Sequence, residues 1–599
     1  MSAFAEGINL NSIGEALPKP KIDVKTSSSG DSQAYSTCLE EEFFGIPTAV
    51  PEAIVDFTSV AALLGFSDSI LEDCERKNLP ARKLPPLPKY SIVNSKPQGE
   101  RASEASTEAK QVSQRPAEEE WTAHNPYFAP ITNAAWLTPS AQTYSNIAAR
   151  NDTWGTARRV VRIDIGIGGS HIQYMPGDSI GILAPNATYL VERLVERTNR
   201  LTGASRGSED SKAGSEISLE SIIEMDSCPK TSCSVRELLT YRLDLSSSPR
   251  KNNVYALAQY CAKPQERRCL EWLCSKCPIG KELWKQFVEE QALSFGELVL
   301  LFPSCALPLG AIIAYSGPAV PRYYSVASSP LVRGDSISIA FSIVHLKAHM
   351  TCKPDQVIRR AGLCTSYLEW AARGFLYGDM RDVRISAGGA PPKLRIFHKS
   401  NIYFRLPGSV APPLILIGPG TGVAPFVGFL DHRKAIETLR SKSCDDACEG
   451  VWRGGFEIEE EDLPGESNKV HQFISETLPG PIHLFFGCRN EDDYLYKEEL
   501  KDHLSQDTLR TLEVAMSRTQ ENKIYVTNLL KERSAEIARL IMDQGGYIYV
   551  CGDGNHMAKD VNAAFLQILQ EHAGMSEACA IEKIAYLKLK RRYVQDIWS

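Results

Sequence analysis

The sequence predicts an α/β protein in two parts. An antiparallel β-barrel carrying a helical insert comes first, then an open, mainly parallel sheet flanked by helices. Three observations carry this reading. From Asn125 the chain alternates apolar and polar residues over short runs, broken from about Ala187 to Gly296 by helical periodicity. From Pro412 the apolar runs LILIG, HLFFG, EVAMS and YIYVCG are each followed by a helical segment, the mark of a parallel sheet. Finally, Leu414–Leu430 (LILIGPGTGVAPFVGFL) reads as a buried strand, a glycine-rich turn and the start of a helix. Such a junction presents bare backbone N–H groups and the positive end of a helix to a pyrophosphate. Gly418, Gly420 and Gly422 permit positive φ and close approach where a Cβ would clash.

Composition sets the bounds. At 599 residues the chain exceeds one core, and 43% hydrophobic with 23% charged residues is ordinary for a globular protein. A net charge of −7 argues against nucleic-acid binding. The 16 cysteines are too sparse for a disulfide scaffold, no apolar run reaches the ~20 residues a bilayer requires, and MSAFAEGINLN lacks a signal-peptide layout. Reduced thiols in the cytoplasm, with no membrane association, are the expectation. Cys261, Cys269, Cys274 and Cys277 end in a CxxC, but no second pair completes a zinc site, so they read as thiols and no metal is expected. The run Lys588–Arg592 (KLKRR) reads as the solvated face of a last helix.

The elements follow in order. Residues 1–120 are rich in Ser, Glu, Pro and Lys and read largely as disordered linker. An apolar island, Phe43–Leu71, and an extended tether, LPARKLPPLPKY, interrupt them, and Ser95–Glu120 is polar throughout. RVVRIDIGIG (Arg159–Gly168) and HIQYMPGDSIGIL read as paired strands with a Pro-Gly turn. The insert, about 187–296, is helical with a polar loop at Gly203–Ser215, and IIAYSG, PRYYSVASS and SISIAFSIV then return as strands. The expected domains are 121–408 and 409–599.

Arg322-Tyr-Tyr-Ser325 offers guanidinium, aromatic and hydroxyl groups on one strand, a set able to hold an isoalloxazine and its diphosphate. A sheet-face ladder of polar and aromatic residues is the plainer alternative. Gly362-Leu-Cys-Thr-Ser366 opens a second helix and suits a second phosphate contact, or a helix cap supplied by Thr365 or Ser366.

Together, RYYSVASS, GLCTSYL, GPGTGVAPFVGFL, LFFGCRNEDDYLYKEEL, SRTQENKIYV, YVCGDGNHMAKDV and RRYVQDIWS resemble the diflavin reductases in order and spacing, over about Asn125–Ser599. That family includes NADPH–cytochrome P450 reductase and methionine synthase reductase. FPSC at Phe302–Cys305, Leu273–Lys276, Gly428–Arg433 and the ending QDIWS look most like methionine synthase reductase. The resemblance implies a ferredoxin-NADP reductase-like fold, with FAD on the barrel and NADPH on the parallel-sheet domain. It places Arg322, Tyr323, Tyr324 and Ser325 on FAD, with Gly362, Leu363, Cys364 and Thr365 at its pyrophosphate. Gly420, Thr421 and Gly422 meet the NADPH phosphates. Ser517, Arg518, Lys523 and Tyr525, continuing into Val526 and Thr527, form the 2′-phosphate pocket. A hydroxyl, a guanidinium and an ammonium around one dianion favour NADP over NAD. Asp553 lies near the nicotinamide end, Ser325, Cys551 and Asp596 surround the hydride path, and Trp598 lies on the flavin.

Two departures stand out. No phosphate loop of a flavodoxin domain occurs in residues 1–120, so FMN is not expected in this chain. Electrons then pass from FAD to methionine synthase, to a separate flavodoxin-like FMN protein or to small acceptors, unless an upstream segment is missing. Where methionine synthase reductases place a basic NADPH contact, ITNAAW offers Asn133. A P450-reductase-like role and an idle partner-binding module are the competing readings.

Overall fold

The computed structural model describes residues 87–93, 121–138, 158–204, 217–225, 231–349, 357–377, 392–443, 478–554 and 556–598. Phe43–Leu71, Ser95–Glu120 and most of Gly203–Ser215 lie outside them. Within the expected linker, at the end of the tether, β1 (Tyr90–Val93) is a strand. Its alternating YSIV pairs antiparallel with a strand of the insert, and the Tyr90 ring fills space beside Gly310, where a Cβ would lie 2.9 Å from it.

The barrel begins with β2 (Tyr127–Trp136), β3 (Val160–Gly166) and β4 (Ser179–Leu183). His171–Asp178 is not the paired strand that its apolar pattern suggested. Tyr174 turns inward, its hydroxyl donating to the Ser336 carbonyl at 3.0 Å. Gly177 takes φ 98° directly over the Phe404 carbonyl, where a Cβ would sit 1.8 Å away. The backbone there serves the Asp178 carboxylate, which accepts from the Asn401 N–H and from His398 Nε2, each at 2.8 Å.

The insert holds α1 (Thr188–Ala204), β5 (Ile222–Met225), β6 (Thr231–Ser234), α2 (Lys251–Ala258), α3 (Pro264–Leu273), α4 (Pro278–Trp284), α5 (Phe295–Leu301) and α6 (Leu309–Ser316). IIAYSG is therefore helix, not strand. A short apolar run carries no periodicity that separates the two, and burial of Leu309, Ile312 and Tyr315 against the helical core decides it. Gly317 at φ 77° ends the helix. The four clustered thiols are buried, Cys261, Cys269 and Cys274 in this core: Cys277 Sγ caps α4 by accepting the Gly280 N–H at 3.2 Å, and Cys274 donates to the Lys251 carbonyl at 3.1 Å. Among the described residues no group of His, Cys, Asp and Glu could hold a metal.

The chain returns through β7 (Arg322–Ser325), β8 (Ser336–Ser342), β9 (His345–His349), β10 (Val357–Ala361), α7 (Leu363–Ala371) and β11 (Lys393–Lys399). Six strands in the order β7-β4-β11-β2-β3-β8 form one antiparallel sheet. A bridge from Val326 to Ile339 and a bond from Ala327 N–H to the Ser338 carbonyl, 2.8 Å, join its two edges into a barrel. Alternate residues, among them Ile163, Ile165, Ile180, Ile182, Ile337 and Ile339, fill the interior.

The second domain contains β12 (Leu414–Pro419), α8 (Ala424–Ser443), β13 (Ile482–Cys488), α9 (Lys497–Ser505), β14 (Thr511–Met516), α10 (Val526–Glu532), α11 (Ser534–Met542), β15 (Tyr547–Asp553), α12 (Met557–Ala573), α13 (Glu577–Leu589) and β16 (Tyr593–Trp598). Its five strands run parallel in the order β14-β13-β12-β15-β16. Leu414 and Leu416 pack one face against Phe426 and Phe429, while Ile415 and Ile417 pack the other against Phe565. Both faces being covered explains why LILI is apolar throughout. In KLKRR the expected solvated face stops short of Arg592, which turns in to donate to the Ile541 carbonyl at 2.8 Å.

The domains share a core. Val160, Ala327 and Phe404 of the barrel side cluster with Phe426, Phe429 and Tyr549. Gly428 lets α8 lie against the barrel, because a Cβ there would come within 3.0 Å of Ser328 backbone. At this seam Ser329 Oγ and His432 Nδ1 are 2.9 Å apart. Burial, then the neighbouring Arg433 charge, depress His432 from 6.5 to about 4. A histidine kept neutral in the fold contributes stability above about pH 6.5 that is lost as pH falls towards 4, about 3 kcal/mol in full. His432→Asn is therefore expected to flatten the fall in stability between pH 6.5 and 4 in urea titrations. An unchanged slope contradicts that assignment.

Candidate active site at the barrel and sheet edges

The strands of the parallel sheet deliver their C-terminal ends to one edge, where ligands bind in open α/β sheets. At the end of β12, Gly420 takes φ 59° and opens a single 3-10 turn, Gly420–Val423, that runs into α8. Gly422 lies on β15: a Cβ would meet the Cys551 carbonyl at 2.1 Å. Gly418 in turn lies 2.7 Å, by the same measure, from the Gly422 carbonyl. The turn is thus folded back on itself, and Thr421 is left half-buried at its tip.

At the end of β14 the Ser517 and Arg518 N–H groups donate to the carbonyls of Cys488 and Arg489 at 3.0 and 2.8 Å. This anchors the backbone while Arg518, Lys523 and Tyr525 stay exposed. Among the described residues neither Arg518 nor Lys523 has a carboxylate partner: the nearby carboxylates Asp493 and Glu513 pair with Arg489 and Arg533. Tyr525 caps α10 through Asn528, Val526 is buried under the sheet end, and Thr527 is half-buried. Arg489, a cation that the sequence reading passed over, closes the cluster with Asp493 as its partner. Its position directly after β13 is the signal that could have found it.

β7 and α7 make the barrel side. Arg322 and Tyr324 point from one face of β7 towards Cys364, whose thiol hydrogen-bonds the phenol, and Arg322 lies near enough to act electrostatically on both. The Arg322 guanidinium is exposed, and among the described residues it donates only to the Val320 carbonyl, at 2.9 Å. Gly362 caps α7, while Thr365 accepts from Val344 N–H and donates to the Gly362 carbonyl, both at 3.2 Å. Leu363 begins the helix. Neither hydroxyl caps the helix: Gly362 is the N-cap with no side-chain bond, and Thr365 and Ser366 both donate back to its carbonyl. Tyr323, on the opposite face of β7, is exposed beneath Lys399, 4.0 Å from Nζ to ring centre.

The two edges meet at one bond. Ser325 Oγ donates to Asp596 Oδ2 at 2.7 Å across 271 residues. Parallel pairing of β15 with β16 puts Cys551 beside Asp596 and Asp553 beside Trp598. Cys551 is fully buried and its thiol is pushed well up by burial and then by the Asp596 charge, so it stays protonated and is no nucleophile. Burial also raises Asp596, against the Ser325 bond and the Lys399 charge. Trp598 is 45% exposed on the same face of β16 as Asp596. The set can hold and move one proton beside an exposed aromatic plane. Asn133 is exposed and already engaged: its Nδ2 donates to Asp164 Oδ2 at 3.1 Å.

An antiparallel barrel with an exposed arginine on β7, followed by a parallel sheet with a glycine turn after β12 and exposed cations after β14, is the build of a flavin and nicotinamide nucleotide protein. Family models agree: a FAD binding domain matches residues 122–367 and an oxidoreductase NAD-binding domain matches 465–563. Methionine synthase reductase of Rattus norvegicus is 32% identical over 455 residues, covering 73% of this chain and 58% of that protein. The Homo sapiens methionine synthase reductase is 30% identical over 469 residues, 77% and 61% of the two chains. NADPH–cytochrome P450 reductase of Rattus norvegicus is 31% identical over 484 residues, 80% and 59%. The chain belongs to the diflavin reductase family and carries its FAD- and NADP-binding domains. It spans about three-fifths of the length of the curated relatives it matches. Among the described residues no helix is long and apolar enough to cross a membrane.

Proposed function

We propose that this chain is an NADPH-dependent flavoprotein reductase of the methionine synthase reductase type, which passes electrons from NADPH through FAD towards a cobalamin-dependent methionine synthase. The observation that carries it is the Ser325–Asp596 bond, 2.7 Å, joining the barrel edge to the nucleotide edge beside Cys551 and Trp598. FAD, when bound, supplies a centre that accepts a hydride and releases electrons one at a time. The chain's own residues do the rest. Arg518 and Lys523 select the 2′-phosphate, and the Gly420–Gly422 turn admits the diphosphate to bare backbone. Arg322 and the first turn of α7 hold the flavin diphosphate. Trp598 covers the reacting face and must yield to the nicotinamide, and Ser325 with Asp596 holds the proton at that face. The electrons leave for methionine synthase directly, or through a separate flavodoxin-like FMN protein, in the cytoplasm.

Purified protein tests this. A yellow preparation that bleaches with NADPH but not with NADH supports it, and a colourless one that takes up no FAD overturns it. The comparable identity to NADPH–cytochrome P450 reductase supports a second reading, in which the acceptor is a P450. Reactivation of cob(II)alamin methionine synthase without reduction of a P450 decides for the first.

Asp596→Asn separates chemistry from stability. A carboxyl raised in the fold contributes stability at low pH that is lost as pH rises through its folded value, so the neutral amide is expected to raise Tm at pH 7–8. That gain shrinks as pH falls towards the ordinary carboxylate range, while flavin reduction by NADPH slows about 10²-fold in stopped flow. A variant with both unchanged removes Asp596 from the hydride path.

A further inference from the structure

The outer face of α13 is apolar where a surface helix is ordinarily polar. Its inner face, Ala580, Ile584 and Leu587, packs into the nucleotide-domain core with Phe565 and Tyr593. The opposite side carries Ala578, Ile581, Ala585 and Leu589, spaced three to four residues apart so that they line one stripe, and all four are exposed. Ile581 is 50% exposed and Leu589 77%, with Tyr586 at 48% along the edge of the stripe. The patch continues past the helix end. There the Arg591 guanidinium lies over the Tyr403 ring, 5.0 Å from its centre, and Tyr403 and Ile402 are themselves exposed.

The stripe is complementary to itself in shape and in charge. Small and large residues alternate along it, so an antiparallel copy sets Ile581 against the partner's Ala585 and brings Leu589 within one residue of the partner's Ala578. A parallel copy would set large against large. Charge obeys the same two-fold operation. Glu577 flanks the start of the stripe and Lys588 flanks its end on the same side, both exposed. An isologous antiparallel pair then puts Glu577 opposite the partner's Lys588 and Lys588 opposite the partner's Glu577. Lys588 is ordered in advance, its Nζ donating to Asn562 Oδ1 at 3.1 Å and lying 5.0 Å from the centre of the Tyr593 ring. On the other flank Glu582 approaches the hydroxyl of the partner's Tyr586.

We propose that the outer face of α13 is a self-association surface, on which two copies of this chain pair antiparallel about a two-fold axis near Lys583. A helix of 13 residues is about 20 Å long. Such a contact falls short of the roughly 800 Å² per partner of a standard interface, so the dimer is a reversible, micromolar one. Tyr403 and Ile402 add apolar area at each end of it.

Sedimentation velocity of the full-length holoprotein at rising concentration tests this. Wild type is expected to pass from monomer to dimer in the micromolar range. Leu589→Glu sets a carboxylate into the stripe and should raise the dissociation constant at least about tenfold, with Tm close to wild type because the residue is exposed. Glu577→Lys and Lys588→Glu each bring like charges together across the axis, so each alone should associate about tenfold more weakly. An equimolar mixture of those two variants regains both ion pairs and should associate like wild type. Wild-type protein that stays monomeric overturns the proposal, whether α13 is bare or, as slow maleimide labelling of Leu589→Cys would reveal, covered by another segment of this chain. Association that survives Leu589→Glu, or a mixture no tighter than its two components, also overturns it, by placing the contact elsewhere.

Discussion

Replacing Arg518 and Lys523 together by alanine is expected to weaken NADP+ binding about a hundredfold, taking each charge-assisted phosphate contact at the low end of its range. NAD+ affinity should move little, because its ribose has no charge to lose. The two cations project from the end of β14 with no carboxylate partner among the described residues, so removing them breaks no native ion pair and Tm should hold. Each alanine variant alone should account for about half of the effect in free energy if both reach the same phosphate. Titration of NADP+ and NAD+ against the four proteins reads this directly. A double variant that loses affinity for both nucleotides equally points instead to collapse of the β14–α10 loop, and one that loses neither places the 2′-phosphate elsewhere.

Gly422→Ala is expected to be the most damaging single methyl in the site. Its Cβ would lie 2.1 Å from the Cys551 carbonyl, a backbone atom in the middle of the sheet that cannot rotate away. The turn must lift off β15, at a cost of about 1–3 kcal/mol in stability. The same shift displaces Gly420 and Thr421 from the phosphate position and disturbs the strand that holds Asp596 in register through Cys551. Chemical denaturation should show the loss of stability, and NADP+ titration a loss of affinity beyond what partial unfolding explains. Gly545→Ala is an informative contrast. That glycine has φ 68° but open space around it, so the strain there is local and NADP+ affinity should be retained.

Much of this site is legible in the sequence because it is built from local geometry. LILIGPGTGVAP specifies strand, turn and helix within one short segment, and each glycine answers a contact made by its own neighbours or by the next strand. The Ser517–Thr527 segment is read in the same way, since the end of an edge strand and the start of α10 place its hydroxyl, guanidinium and ammonium. Where tertiary packing competes with local pattern, the sequence misleads. IIAYSG is apolar enough for a strand and becomes helix because the insert core takes Ile312 and Tyr315. HIQYM alternates like a strand and is bent inward by the Tyr174 hydroxyl and by the close approach of Phe404 to Gly177. Tyr90–Val93, where a tether ends in a stretch that reads as linker, becomes a strand because β5 offers it a free edge.

By itself the sequence determined the presence of a FAD-binding and a nicotinamide-nucleotide-binding domain, the antiparallel and parallel character of the two sheets and the glycine turn. Those properties follow from periodicity, backbone freedom and side-chain chemistry, which act over a few residues. Only the tertiary structure decided which groups meet. The Ser325–Asp596 bond spans 271 residues and exists because α8 packs Phe426 and Phe429 onto the barrel side, bringing β7 up to β16. Arg158 comes to rest on Gly420 through the same seam, and Asp164 engages Asn133. Contacts of that kind depend on how two buried surfaces fit, and no short-range pattern encodes the fit.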